Sequence, residues 1–253
     1  MTNQVSTASV VIYPYDYFVE GTNYNDTLYG MVGHNYVDGN GGYDLLSYAA
    51  FNQPIAFDGI ATVGKGLAGV DHVTEVEAIY APSGFYNLID ASYTGTATAL
   101  YANLSTNFTQ VAFANGAVSN FNVYNFVAVF GTSQNDTIIG SVESNFLAGG
   151  AGNDYIRGGQ GFDTLVGGTG SDVFALGDAY GLDALGASFA TIADWNPYED
   201  YIQVDGSASG FYSFGVSNFS GGLALDTLVY YNNDLLAVVQ DSTNVNFSNF
   251  LFA

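Results

Sequence analysis

The sequence predicts an all-β chain wound as a right-handed parallel β-helix, with wider coils in the middle and a β-rich C-terminal cap. Three observations carry that expectation. A nine-residue phrase occurs eight times, in a block of three and a block of five. Each copy opens on Gly and holds an apolar residue in its eighth place. Elsewhere, short alternating runs rich in β-branched and aromatic residues are separated by Gly, Asn or Ser clusters, and none has the spacing of an amphipathic helix.

The first block is GTNYNDTLY (21–29), GMVGHNYVD (30–38) and GNGGYDLLS (39–47). The second is GTSQNDTII (131–139), GSVESNFLA (140–148), GGAGNDYIR (149–157), GGQGFDTLV (158–166) and GGTGSDVFA (167–175). Place six reads Asp26, Asn35, Asp44, then Asp136, Asn145, Asp154, Asp163, Asp172. Place eight reads Leu28, Val37, Leu46, then Ile138, Leu147, Ile156, Leu165, Phe174. A tight turn over places one to six favours Gly, which enters positive φ freely and lets carbonyls approach one another. A three-residue strand then turns place eight inward. Two such units, one on each side, close a coil of 18 residues. Coils stacked at the strand spacing of ~4.8 Å make a solenoid in which every second repeat lies above the first.

Stacking brings together Asp26 with Asp44, Asp136 with Asp154, Asp154 with Asp172, and Asn145 with Asp163, each pair 18 residues apart. Adjacent carboxylates repel unless a cation lies between them. The donors on offer are carboxylate, amide and carbonyl oxygens, which suit calcium with its six to eight ligands at about 2.3–2.6 Å better than the smaller octahedron of magnesium. Four such ions would offset about 8 of the 22 negative charges.

That charge arises from 24 acids set against Lys65 and Arg157 alone, with charged residues only 10 % of the chain, so the protein is acidic by omission of bases. An apolar content of 48 % supports a core and sets it apart from a disordered acidic tail. A phosphate-binding face needs clustered Lys and Arg, which argues against nucleic acid and against an anionic membrane surface. There is no Cys, and His34 and His72 are the only imidazoles, which removes disulfides and argues against zinc. No apolar run of about 18 residues exists to cross a membrane, and MTNQVSTASVVIYPYDYF lacks the features of a cleaved signal peptide.

In these repeats, and most closely from Gly149 to Ala175, the chain resembles the RTX family of calcium-binding proteins, and within it the small cyanobacterial-type members. The resemblance covers 72 residues, eight repeats of nine, and is weaker where GMVGHN departs from the glycine pattern. It implies a β-roll with each calcium between two stacked loops. The lower loop would give the carbonyls of places one and three and the side chain of place six; the upper would give the carbonyls of places two and four and its own place six. Carried onto this chain, Gly149, Ala151 and Asp154 face Gly168, Gly170 and Asp172. Gly131, Ser133 and Asp136 face Gly150, Gly152 and Asp154, and Gly21, Asn23 and Asp26 face Asn40, Gly42 and Asp44. Gly140, Val142 and Asn145 face Gly159, Gly161 and Asp163, a pair with one carboxylate and therefore the weaker site.

The expected organisation is an N-terminal strand or cap (1–20), a first repeat block (21–47), irregular β-helix coils (48–130), a second block (131–175) and a C-terminal β cap with secretion signal (176–253). An inserted, separate β-domain over 48–130 is the alternative. The phrase ATIADWNPYEDYIQV and the apolar ending NFLFA also resemble RTX chains, whose uncleaved C-terminal signals imply export through a type I secretion exporter to the extracellular space or cell surface. Asp178, Asp183, Asp194 and Asp200 could add a further calcium beside the last coil, although turn caps facing solvent are the preferred reading.

Motifs for zinc proteases and serine hydrolases are absent. Asp71, His72, Glu75 and Glu77 form a compact titratable cluster, but alternation turns Val73 and Val76 inward and leaves the acids on a solvated strand edge. The 20 Tyr and 19 Phe, with Trp195, suggest a Phe-filled core and Tyr rows outside that could serve as contact faces. The expectation is a secreted, non-enzymatic structural protein that folds on binding calcium. It would act as a surface-layer, matrix, fibre or adhesive component, with further copies of itself or cell-surface polysaccharide as partners. A polysaccharide-active β-helix enzyme and an intracellular calcium buffer are the rivals.

Overall fold

In the computed structural model of the protein, residues 11–12, 16–95, 97–176, 188–204, 211–219, 222 and 224–252 are described. The chain is all-β: the described residues form two long sheets, one of fourteen strands and one of eleven. Short 3-10 turns at Gly66–Ala68 and Phe247–Asn249 interrupt the strands.

Within the repeats each coil contributes one short strand to each sheet, and successive coils pair in parallel. Thr137–Ile139, Tyr155–Arg157 and Val173–Ala175 stack with Ile138, Ile156 and Phe174 in one column. Phe146–Ala151 and Phe162–Thr169 stack on the opposite side with Leu147 over Leu165. In the first block Thr27–Tyr29 pairs with Leu45–Ser47, and Asp16–Glu20 with His34–Asp38. A three-residue strand has one inward side chain, its middle one, so place eight is buried in every repeat. Removing such a side chain from water contributes roughly 1.5–3 kcal/mol, and these columns run into one continuous core.

The described strands of 48–130 stay in the same two sheets. Leu88–Asp90 lies between Ala56–Phe57 and Ala128–Phe130, and the last of these pairs with Phe146–Ala151. Ala78–Tyr80 lies between Leu45–Ser47 and Val118–Tyr124. The coils widen by antiparallel meanders, Ala56–Phe57 with Thr62–Gly64 and Val70–Thr74 in one sheet, Ala97–Asn103 with Phe108–Phe113 and Val118–Tyr124 in the other. Three strands that run up, down and up return the chain to its original direction, so the parallel stacking resumes on the far side.

At the C-terminal end Tyr212–Ser217, Asp226–Tyr231 and Asp234–Val239 form a third meander. It joins the solenoid through a parallel pairing with Phe189–Ile192. Tyr212, Phe214, Phe247 and Phe250 pack edge to face or tilted over the end of the core. Of the ending NFLFA, Phe250 is buried while Leu251 and Phe252 are exposed. Tyr17, Tyr29, Tyr36, Tyr80 and Tyr101 are exposed on strands, whereas Tyr48 is buried against the core.

Candidate metal centre

The turn that precedes each strand places its sixth residue where it can reach the coil below. The lower residue donates its backbone N–H to Oδ1 of the upper aspartate. These bonds run from Asp26 to Asp44 (2.7 Å), Asp136 to Asp154 (2.8 Å), Asp154 to Asp172 (2.9 Å) and Asn145 to Asp163 (2.8 Å). All seven side chains are at most 4 % exposed. The pairs that spacing alone brings together are thus adjacent in space.

The second carboxylate oxygen divides the loops into two kinds. Where place two is Thr or Ser, its N–H closes the loop: Thr22 N and Oγ1 donate to Asp26 Oδ2, Thr132 N to Asp136 Oδ2 (2.5 Å), and Ser141 N to Asn145 Oδ1 (2.7 Å). Where place two is Asn40, Gly150 or Gly168, that residue takes a left-handed φ of 62°, 110° or 102°. In these open loops Oδ2 of Asp44, Asp154 and Asp172 is buried with no hydrogen-bond partner. A buried carboxylate oxygen without a donor is costly.

Carbonyls crowd the same space. A β-carbon on Gly168 would overlap the Gly150 carbonyl oxygen, and one on Gly131 would overlap the Gly149 carbonyl and Asp136 Oδ2. Among the described residues no group of three acidic or imidazole side chains gathers at one point. Each loop pair instead offers two place-six side chains and backbone carbonyl oxygens in close approach to the loop glycines. That donor set, with orphaned carboxylate oxygens and a cradle any side chain would fill, fits calcium.

Electrostatics agree with this. Burial pushes the Asp154 carboxyl up to about 7; the Asp136 N–H opposes the rise, and the charges of Asp136 and Asp172 add to it. Burial also raises Asp44, Asp136 and Asp172, and lifts Asp200 to about 6. Without a cation, protons are the available counter-charge for these groups.

The carboxylate column extends past the repeats. Glu77 Oε2 accepts from Asp44 N (2.8 Å), and Asp200 Oδ1 accepts from Asp172 N (3.0 Å) while its Oδ2 is closed by Asn196 N. Asp200, read from sequence as a solvent-facing cap, is therefore buried. The signal was present: WNPYEDYIQ (195–203) keeps Asp200 in place six and Ile202 in place eight without the glycines. Asp194 accepts from the N–H groups of Gly167 and Gly168 at the last open loop. Asp178 and Asp183 lie outside the described residues.

The titratable cluster near His72 is also corrected. Val73 and Val76 are inward and Glu75 is exposed, but Asp71 is fully buried. GLAGVDHVT (66–74) is a further nonapeptide with Gly66, Gly69, Asp71 and Val73 in places one, four, six and eight. It stacks on 30–38 with Asn35 opposite Asp71. The hairpin between them sets the two 36 residues apart, which hides the repeat from an 18-residue search.

Comparison with known proteins bears on the same segments. A family model described as the RTX calcium-binding nonapeptide repeat, in four copies, matches residues 18–46, 130–165 and 158–178. No curated protein matches the chain in sequence. Among solved structures it is similar to the extracellular lipase LipA from Serratia marcescens, at 15 % identity and a TM-score of 0.29, over 96 % of this chain and 41 % of that one. The chain thus spans less than half the length of that lipase.

Proposed function

We propose that this chain, which carries RTX calcium-binding nonapeptide repeats, is a secreted structural protein whose solenoid is completed by calcium between stacked loops. The observation that carries the reading is the set of buried, partnerless oxygens on Asp44, Asp154 and Asp172, each in an open loop above another repeat. Bound calcium would neutralise the facing carboxylates and draw the carbonyls of both loops together. Gly149, Ala151 and Asp154 with Gly168, Gly170 and Asp172 form the strongest pair. The pairs headed by Gly131 and Gly21 come next, and the pair headed by Gly140 holds a single carboxylate. Metal binding and folding would then be one event. Extracellular modules of this kind work at Kd values of ~10⁻⁴ to 10⁻³ M, which suits export in an unfolded state through a type I secretion exporter.

A non-catalytic role is supported by the fate of the acids around His72. Asp71 is buried and Glu77 is bonded to Asp44. Self-association is supported by the end of the eleven-stranded sheet. Thr27–Tyr29 is its last strand among the described residues, and Asp26 Oδ1 is buried there without the N–H that a coil below would donate. A second copy is the partner this favours; a cell-surface polysaccharide would meet the exposed Tyr rows.

Circular dichroism in EGTA and in calcium tests the reading. The β signal should be weak in EGTA at pH 8 and appear with a calcium midpoint of ~10⁻⁴ to 10⁻³ M. Because the folded-state pKa values are raised, the calcium-free fold loses stability as pH rises from about 4, the ordinary Asp value, to about 7. More β structure is therefore expected in EGTA at pH 5 than at pH 8. Spectra that ignore both calcium and pH would overturn the proposal.

A further inference from the structure

One pair of stacked loops contains a cation supplied by the chain itself. The loop 66–71 lies on 30–35 as the other upper loops lie on theirs. Gly33 N donates to the Ala68 carbonyl (2.7 Å), and a β-carbon on Gly69, whose φ is 105°, would overlap the Gly33 carbonyl oxygen. Into this pair comes the ammonium of Lys65, the only lysine in the sequence and fully buried. Its Nζ donates to the Gly33 carbonyl oxygen (3.0 Å) and forms an ion pair with Asp71 Oδ1. Asn35 Nδ2 donates to the same Oδ1 (2.6 Å), and the Tyr48 hydroxyl closes Oδ2 (2.6 Å). Lys65 thus bonds to a place-four carbonyl of the lower loop and the place-six carboxylate of the upper.

We propose that Lys65 is a tethered counter-ion that neutralises the buried carboxylate of this loop pair in place of calcium, so that loops 30–35 and 66–71 stack without the metal while the other pairs require it. Charge arithmetic supports the substitution. Two aspartates and one calcium sum to zero in the pair headed by Gly21, which shares no aspartate with another repeat pair; one asparagine, one aspartate and one ammonium do the same here. A carboxylate left alone in this buried slot would be strongly disfavoured. Because the ammonium is covalently attached, it is present at any calcium concentration, and this loop pair becomes the ordered seed on which calcium-dependent coils assemble. A chain whose one other Lys or Arg is Arg157 has placed its lysine between two stacked loops, against a buried place-six carboxylate.

The inference rests on the calcium reading of the other loop pairs, and its test separates the two. In EGTA, Lys65 should resist an amine-reactive ester, the α-amino group serving as the internal control, with peptide mass spectrometry as the readout. Labelling of Lys65 at the rate of a free lysine would overturn the proposal even if calcium restores the β signal elsewhere. For Lys65→Met, native mass spectrometry at millimolar calcium should count one more bound ion than the wild type, taken up between the two loops by Asn35 Oδ1 and Asp71. An unchanged count in a folded variant would also overturn it. If Lys65→Met does not fold, protection of the wild-type lysine in EGTA decides the matter.

Discussion

Asp154→Asn should raise the calcium midpoint of folding by at least about tenfold, ~1.4 kcal/mol, and by more than Asp26→Asn. Asp154 is the upper partner of Asp136 and the lower partner of Asp172, with a nonapeptide aspartate on both sides, so it would serve two ions. Asp26 has a repeat above it and none below among the described residues. An asparagine keeps the Oδ1 that accepts from Asp136 N, so the loop geometry survives and the change isolates charge. The same substitution should have the opposite sign in EGTA, where it removes a carboxyl that burial pushes up to about 7. A calcium titration followed by circular dichroism reads both effects. Equal midpoint shifts for the two variants would contradict the stacked-pair geometry.

Gly168→Val should remove the last calcium position and lower the melting temperature in saturating calcium. Gly168 has a φ of 102°, and any β-carbon there meets the Gly150 carbonyl oxygen of the coil below. A left-handed non-glycine residue costs roughly 1–3 kcal/mol before the clash is counted. Gly84→Val is the control. Its φ of 79° brings the same kind of backbone strain, but a β-carbon meets nothing within 4 Å. Calcium counted by native mass spectrometry should fall by one for Gly168→Val and stay unchanged for Gly84→Val.

Much of this was legible in the sequence because the chemistry is local. Gly in place one, Asp in place six and an apolar residue in place eight are fixed within nine residues, and doubling nine gives the pairs found adjacent in space. The division into closed and open loops was legible too, but only once its mechanism was visible. Thr22, Thr132 and Ser141 hold their own loop's place-six side chain, whereas Asn40, Gly150 and Gly168 leave it open. What the repeat pattern missed were long-range substitutions. Asp71 looked solvated because alternation says which face a residue takes and nothing about a lysine six positions earlier that turns back to meet it. Glu77 and Asp200 continue the carboxylate column from segments that have lost their glycines. The meanders widen the coils by even pairs of strands, which preserves stacking but shifts the spacing from 18 to 36 between Asn35 and Asp71.

The most direct measurement is a crystal structure of the calcium-loaded protein with anomalous difference maps at long wavelength. Peaks are expected between loops 21–26 and 39–44, 131–136 and 149–154, and 149–154 and 167–172, with a weaker one between 140–145 and 158–163. No peak is expected between 30–35 and 66–71, where the Lys65 ammonium should be seen instead. Loop pairs without anomalous density in saturating calcium would contradict the account.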